Sequence, residues 1–221
     1  MRIAVFGATG RTGRPLVEQA LERGHEVVAF ARDPTDLPDG VRDDDALTVV
    51  EGDAYAGDGV AAAVAGGGTG AVPVDAVVSV LGQTDAGPDD LLTVAGRNVL
   101  DAMADHGVER YVTLVGAGVR EPGESVSLGG KVMGSLLKLL AGEVLADAAA
   151  HVDDVRASDT RWTVVRAPRL TDGAHTGEFR HGTALELGLR DTAARADVAQ
   201  FLLDCLADDR YVGELPKVTD R

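Results

Sequence analysis

Apolar and polar residues follow two periods along this chain. Compact apolar runs occupy residues 2–7, 26–31, 47–51, 75–81, 110–115 and 161–166. Runs this short and this apolar predict strands buried on both faces. Between them lie longer stretches whose apolar residues recur every third or fourth position, at roughly 11–23, 57–65, 88–106, 132–157 and 195–207, and these predict helices. Strand and helix in alternation predict the α/β class, as a Rossmann-type doubly wound parallel sheet with helices on both faces. The expected strand order is 3-2-1-4-5-6, with a ligand crevice ringed by the ends of the first, fourth and fifth strands. Residues 33–45 read as an acidic, proline-containing connection and 66–74 as a glycine-rich loose turn. No repeat or composition break divides the chain, so a single domain over 1–221 is expected.

The first strand runs into Phe6-Gly7-Ala8-Thr9-Gly10-Arg11-Thr12-Gly13-Arg14, a G-x-x-G-x-x-G turn that opens a helix. Such a turn gathers bare N–H groups and a helix N-terminus at one point, which suits a pyrophosphate. Glycine triplets alone also mark ordinary turns. Here Leu16, Val17, Ala20 and Leu21 continue at helical spacing, Gly24 stops the helix, and Glu26 to Ala31 form a second strand. That closes a βαβ unit of about 30 residues, the context a dinucleotide fingerprint requires. The candidate contacts are Gly7, Thr9, Gly10, Arg11, Thr12 and Gly13. The competing reading is a flavodoxin-like sheet that merely turns on glycines.

The end of the second strand bears on which cofactor is bound. NAD-binding folds place an acid about 20 residues beyond the glycines, on the ribose hydroxyls. This chain has Arg32 there, then Asp33. A guanidinium forks onto a 2′-phosphate, and Arg11 and Arg14 add charge at the turn, so NADP(H) is expected over NAD(H). The alternative gives the ribose to Asp33 and leaves Arg32 solvated. After the third strand, Asp53 and Ala54 would lie beside the adenine, with a helix-capping role as the alternative for Asp53.

Composition changes the picture in three ways. Lys plus Arg number 21 against 36 Asp plus Glu, a net charge of −15, which argues against a nucleic-acid surface. The lysines are only Lys131, Lys138 and Lys217 and aromatics make up 4%, a pattern that favours a salt-loving source over a merely acidic protein. A lone Cys205 in an apolar helical stretch cannot make an internal disulfide; it reads as a buried thiol and fits a cytoplasmic location. The chain enters its first strand at residue 2 with no signal-peptide pattern. The most apolar segment, Val132 to Leu145, is too short and too interrupted by Lys138 and Glu143 to span a membrane. No cluster has metal-ligand spacing.

Taken with these residues, the chain resembles the atypical short-chain dehydrogenase/reductases, in the NAD(P)H-binding, NmrA-like group that includes biliverdin reductase B, or flavin reductase. The resemblance runs nearly end to end. It rests on Phe6 to Gly13, Ala31-Arg32-Asp33, Gly52-Asp53, Leu81-Gly82-Gln83-Thr84, Gly96-Arg97-Asn98-Val99, His106-Gly107-Val108, Trp162 to Gly173 and Arg195 to Ala199. It implies that Leu81, Gly82 and Gln83 line the nicotinamide ribose, that Val115, Gly116 and Ala117 flank the nicotinamide, and that Pro168, Arg169 and Leu170 close over it. Pro168 as a strand end and Arg169 as a solvated loop residue are the structural alternatives.

The catalytic set of ordinary short-chain dehydrogenases is missing. None of Tyr55, Tyr111 and Tyr211 has a lysine four residues later, and the family's serine after the fifth strand is Gly116 here. Hydride transfer to a flavin, quinone or bilin-like acceptor needs only close stacking, because the acceptor brings its own chemistry. Candidate helpers are Arg169 for an anionic acceptor such as FMN, Thr84, and the i,i+4 pair Asp147 and His151, whose alternative is a solvent-exposed helix salt link. The expected activity is an NADPH-dependent reductase of a small planar acceptor, acting as monomer or homodimer. The rival is a catalytically silent NADP(H)-binding sensor, regulator or assembly factor. A nucleotide-sugar epimerase or dehydratase fits less well, since its extra substrate domain exceeds this length.

Overall fold

The computed structural model describes residues 1–83, 87–120, 142–188 and 190–221. Its strands begin with β1 (Arg2–Phe6), β2 (Glu26–Ala31), β3 (Leu47–Glu51), β4 (Ala76–Ser79), β5 (Arg110–Gly116) and β6 (Arg161–Ala167). They continue with β7 (Arg169–Thr171), β8 (Phe179–Gly182), β9 (Thr192–Ala194) and β10 (Lys217–Asp220). The helices are α1 (Gly13–Glu22), α2 (Asp39–Arg42), α3 (Val60–Val64), α4 (Leu91–His106), α5 (Gly142–Ala157) and α6 (Arg195–Ala207).

Among the described residues, the main sheet runs β3-β2-β1-β4-β5-β6-β10-β8. The expected order 3-2-1-4-5-6 forms its first six strands, all parallel. The sheet continues beyond the six expected strands, however. β10 joins β6 in parallel, and β8 closes that edge antiparallel to β10. β7 and β9 form a separate parallel pair. These four strands are three or four residues long, too short to establish a period of two.

The period of two is plain in the central strands. Ile3 and Val5 of β1, with Val27 and Ala29 of β2, face a core shared with α1 and α6. Ala4 and Phe6, with Val28 and Phe30, face the opposite core, shared with α3, α4 and α5. Burial on both faces explains why these strands read as unbroken apolar runs. The connection 33–45 is more ordered than expected. Asp33 caps a short 3-10 turn at Pro34–Asp36, and α2 follows. Asp33 followed by Pro34 at the first helical position is a start signal for such a turn. The long helix expected from 132 is described from Gly142; residues 132–141, with Met133, Leu136, Leu137 and Leu140, lie outside the described residues.

Candidate functional site

The strand order reverses between β2 and β4 on either side of β1, so the crevice opens where β1 ends. The glycine turn sits there, and its glycines do different work. Gly7 has φ +85°, and a Cβ on it would come within 2.9 Å of the Val80 carbonyl oxygen. A Cβ on Gly13 would stand 1.9 Å from the Gly7 carbonyl oxygen. Both must be glycine for the turn to pack against β4 and enter α1. Gly10 is exposed, and among the described residues the atom its Cβ would approach is the Gly7 oxygen, at 3.2 Å. The N–H of Gly10 donates to Gly7 and that of Arg14 to Gly10, while Arg11 and Thr12 have no backbone acceptor among the described residues. Thr12 precedes α1 and makes no side-chain cap. These free donors at a helix N-terminus, with a glycine open to solvent, fit a pyrophosphate.

Arg14 folds back, its Nε donating to the Thr9 carbonyl at 3.0 Å. Arg11 reaches Asp172, beyond β7, at 3.6 Å, and Arg195 holds the other oxygen of the same carboxylate at 2.6 Å. At the end of β2, Arg32 is exposed and has no hydrogen bond or ion pair among the described residues. Asp33 is engaged: its Oδ1 accepts from the Thr35 N–H at 2.9 Å and the Thr35 hydroxyl at 2.6 Å. Those hydrogen bonds pull its carboxyl below the usual range. Arg32 is thus the group at this strand end with its full hydrogen-bonding capacity open.

Asp53 does not cap α3, whose N-cap is Gly59. It closes a tight turn instead, Oδ1 accepting from the Tyr55 N–H at 2.8 Å. Asn98 of α4 donates to the carbonyls of Ala54 and Tyr55 at 2.8 and 3.1 Å, and the Tyr55 hydroxyl donates to Asp90 at 3.0 Å. The motif Gly96-Arg97-Asn98-Val99 thereby acquires meaning residue by residue. Asn98 pins the loop after β3, Arg97 pairs with Asp154 at 2.8 Å, Val99 is core, and Gly96 leaves room for His151.

Leu81, Gly82 and Gln83 leave the end of β4, with Gly82 exposed. Thr84 lies outside the described residues. At the end of β5, Val115 is buried, Gly116 is exposed, and a Cβ on Gly116 would meet nothing within 4 Å among the described residues. The N–H of Ala117 donates to Ala167 at 2.7 Å, holding β5 and β6 together at the crevice rim. Pro168 joins β6 to β7, Leu170 is half-buried, and Arg169 stands exposed on β7 with no partner among the described residues.

Asp147 and His151 correct the sequence reading. Neither belongs to a solvent-exposed salt link; both are buried between α5 and α4. The Asp147 carboxylate accepts from the Leu92 and Thr93 N–H groups at 2.9 Å each, the Thr93 hydroxyl at 2.6 Å and the Gln83 amide at 2.8 Å. His151 Nε2 lies 3.3 Å from the Thr113 hydroxyl, and burial drops its pKa to about 4, so the ring is neutral at pH 7. Amphipathic spacing placed the two residues on one face but did not tell which way that face turned.

Sequence reasoning missed Asp197, whose buried carboxylate gathers the loop before β8. It accepts from Thr176 N–H, Thr176 hydroxyl and Gly177 N–H at 2.9, 2.7 and 2.9 Å. Burial pushes its pKa up, and the hydrogen bonds outweigh that and bring it below the usual range. Cys205 is buried, and burial raises its thiol to about 12, which suits a structural role. No helix among the described residues is long and apolar enough to cross a membrane, and no group of three or more ligating side chains is placed to hold a metal.

A family model described as NAD(P)H-binding matches residues 7–209. An uncharacterised chloroplastic protein of Arabidopsis thaliana is 29% identical over 189 residues, which cover 80% of this chain and 61% of that protein. The chain therefore spans less than two thirds of that relative's length. Among solved structures, the oxidoreductase ylbE from Lactococcus lactis matches with a TM-score of 0.77 at 18% identity, over 100% of this chain and 91% of that one. ChuY, an anaerobilin reductase from Escherichia coli O157:H7, matches with a TM-score of 0.78 at 22% identity, over 99% and 96%. Both are likenesses of fold.

Proposed function

The chain belongs to the NAD(P)H-binding family, and on that premise we propose that it is an NADPH-dependent reductase of a small planar acceptor, of flavin, quinone or bilin type. The reading takes residues 1–221 as one NAD(P)-binding domain. The glycine turn receives the pyrophosphate on the free N–H groups of Arg11 and Thr12. Arg32 takes the 2′-phosphate, because Asp33 is already spent on Thr35. The loop at Asp53 and Ala54, pinned by Asn98, flanks the adenine. Leu81, Gly82 and Gln83 line the nicotinamide ribose, and Val115, Gly116, Ala117, Pro168, Arg169 and Leu170 border the ring.

The observation that carries the reductase reading is the open position at Gly116. Among the described residues, nothing at the end of β5 stands in the way of a flat acceptor stacked beside the cofactor's ring. The reduced nicotinamide supplies the hydride; the protein supplies orientation and a bordered surface. Arg169, exposed and unpaired on β7, holds an anionic group of the acceptor, such as the phosphate of FMN. The acidic, lysine-poor composition is an adaptation to high salt in a cytoplasmic protein, monomeric or homodimeric.

A second reading has its own support. With glycine where a serine would stand, and with Asp147 and His151 sealed between helices, no side-chain proton donor meets the crevice among the described residues named as candidates. That suits a silent NADP(H) sensor. NADPH oxidation by the purified protein in high salt, offered FMN, a quinone and biliverdin in turn with NADH as control, separates the two. Turnover favouring NADPH is expected. Tight NADPH binding with no turnover on any acceptor establishes the sensor.

A further inference from the structure

Gln83 leaves β4 at the crevice with its side-chain amide held in one orientation. Its Nε2 donates to the Asp89 carbonyl at 2.6 Å and to the Asp147 carboxylate at 2.8 Å. Both neighbours are pure acceptors there. A carbonyl has no proton, and the carboxylate of Asp147 already collects three other donors, from Leu92 and Thr93. The reverse amide orientation would set Oε1 against two oxygens, so the geometry admits one orientation. Both protons of the amide are used, and Oε1 has no partner among the described residues.

The anchor for this arrangement comes from another helix. Asp90, the residue before α4, makes no side-chain cap. Asp147 of α5 does that work instead, binding the N–H groups of Leu92 and Thr93. Asp147 therefore fixes two things together: the first turn of α4, and the amide of the residue that leaves β4 at the crevice.

We infer that Asp147 is a positioning residue that locks Gln83 as a hydrogen-bond acceptor, so that Gln83 Oε1 selects for a donor on the nicotinamide-riboside half of the cofactor. The inference rests on the cofactor reading above. Changing Asp147 to Asn removes one acceptor and adds an N–H pair. Where the new Nδ2 faces Gln83, the two amides meet donor to donor, and Gln83 either lets go or turns over against the Asp89 carbonyl, so that Oε1 is no longer held as a free acceptor. Gln83→Met removes the acceptor at nearly constant shape and leaves the α4 cap alone.

The test is the affinity of wild type, Asp147→Asn and Gln83→Met for NADPH, by the fluorescence of the bound nucleotide. The same proteins are titrated calorimetrically with 2′,5′-ADP and ADP, which lack the nicotinamide riboside, and melting temperatures are recorded. Both variants are expected to lose about tenfold in NADPH affinity, a neutral hydrogen bond's share, with the adenosine fragments bound as by wild type. Loss on every nucleotide makes Asp147 merely structural and overturns the inference. Wild-type NADPH affinity in Gln83→Met overturns it also, even if Asp147→Asn fails to fold. Wild-type protein that binds no nucleotide overturns the cofactor reading and this inference with it, whereas equal NADPH binding by all three proteins overturns the inference alone.

Discussion

The Nδ1 of His151 lies 2.3 Å from the point where a Cβ on Gly96 would stand. Two helices, α4 and α5, meet there with an imidazole filling the space that a side chain would need. That nitrogen has no hydrogen-bond partner among the described residues, so the ring is held by packing on one edge and by Thr113 on the other.

Gly96→Ala should therefore destabilise the protein although alanine is the better helix former. Overpacking of this kind costs about 1–3 kcal/mol, against a helix gain of about 1 kcal/mol. Urea denaturation checks the sign. Adding His151→Ala to Gly96→Ala should restore part of the loss, and simple additivity of the two changes would show that the residues do not press on each other.

Acid should weaken the fold in two windows. His151 is neutral in the folded protein down to about pH 4, while an unfolded histidine takes its proton near 6.5. The unfolded state thus binds the extra proton between those values, and stability falls as pH drops through them, by up to about 1.4 kcal/mol per pH unit. Asp197, lowered in the folded state, gives stability that is intact above the ordinary aspartate range and is lost below it. Melting temperature against pH should show the upper limb shrink in His151→Gln while the lower one persists. His25 and His181, also lowered by burial, supply a remaining slope.

The glycines of the turn should separate by function. Gly13→Ala drives a Cβ into the Gly7 carbonyl and should abolish soluble folded protein or lower its melting temperature severely. Gly10→Ala should lower the melting temperature far less than Gly13→Ala, since its Cβ meets the Gly7 oxygen at 3.2 Å rather than 1.9 Å, and should lose nucleotide affinity. A Gly10→Ala protein that binds NADPH like wild type would place the pyrophosphate elsewhere.

Arg32→Ala should weaken NADPH binding by about tenfold or more and leave NADH binding nearly unchanged, the size expected for a charge-assisted contact to phosphate. Titration of both nucleotides checks it; equal losses would assign the ribose to Asp33 after all.

Cys205 should be silent toward thiol reagents in the native protein and react fully on denaturation, because burial raises its thiol to about 12. Timed alkylation with and without denaturant reads this directly.

Residues whose neighbours lie close in sequence or in a repeating register were legible from the chain alone. The six strands of the central order and the glycine turn were found because burial on both faces and a tight turn each leave a local mark. β8 and β10 left none: Phe179–Gly182 and Lys217–Asp220 owe their pairing to each other and to β6 across the fold. The same limit applied at the site. Asp147 and His151 were recognisable as a pair by spacing, yet their burial depends on α4 lying across them, which no local pattern encodes. Asp33 was readable only as the alternative ribose ligand, and its engagement as a cap depends on where Thr35 lies.

The borrowed cap of α4 bears on the order in which the molecule assembles. A helix usually carries its own start signal, so its first turn can form as soon as it is made. The first turn of α4 has its carboxylate 55 residues downstream of Leu92. While the chain is being synthesised, Leu92 and Thr93 emerge well before Asp147 exists to receive their N–H groups, and the helix end frays until α5 docks. Gln83 waits on the same event. The β1–α1–β2 portion of the crevice can settle early from local contacts, and the β4–α4 portion becomes rigid only when more than half of the chain has folded around it.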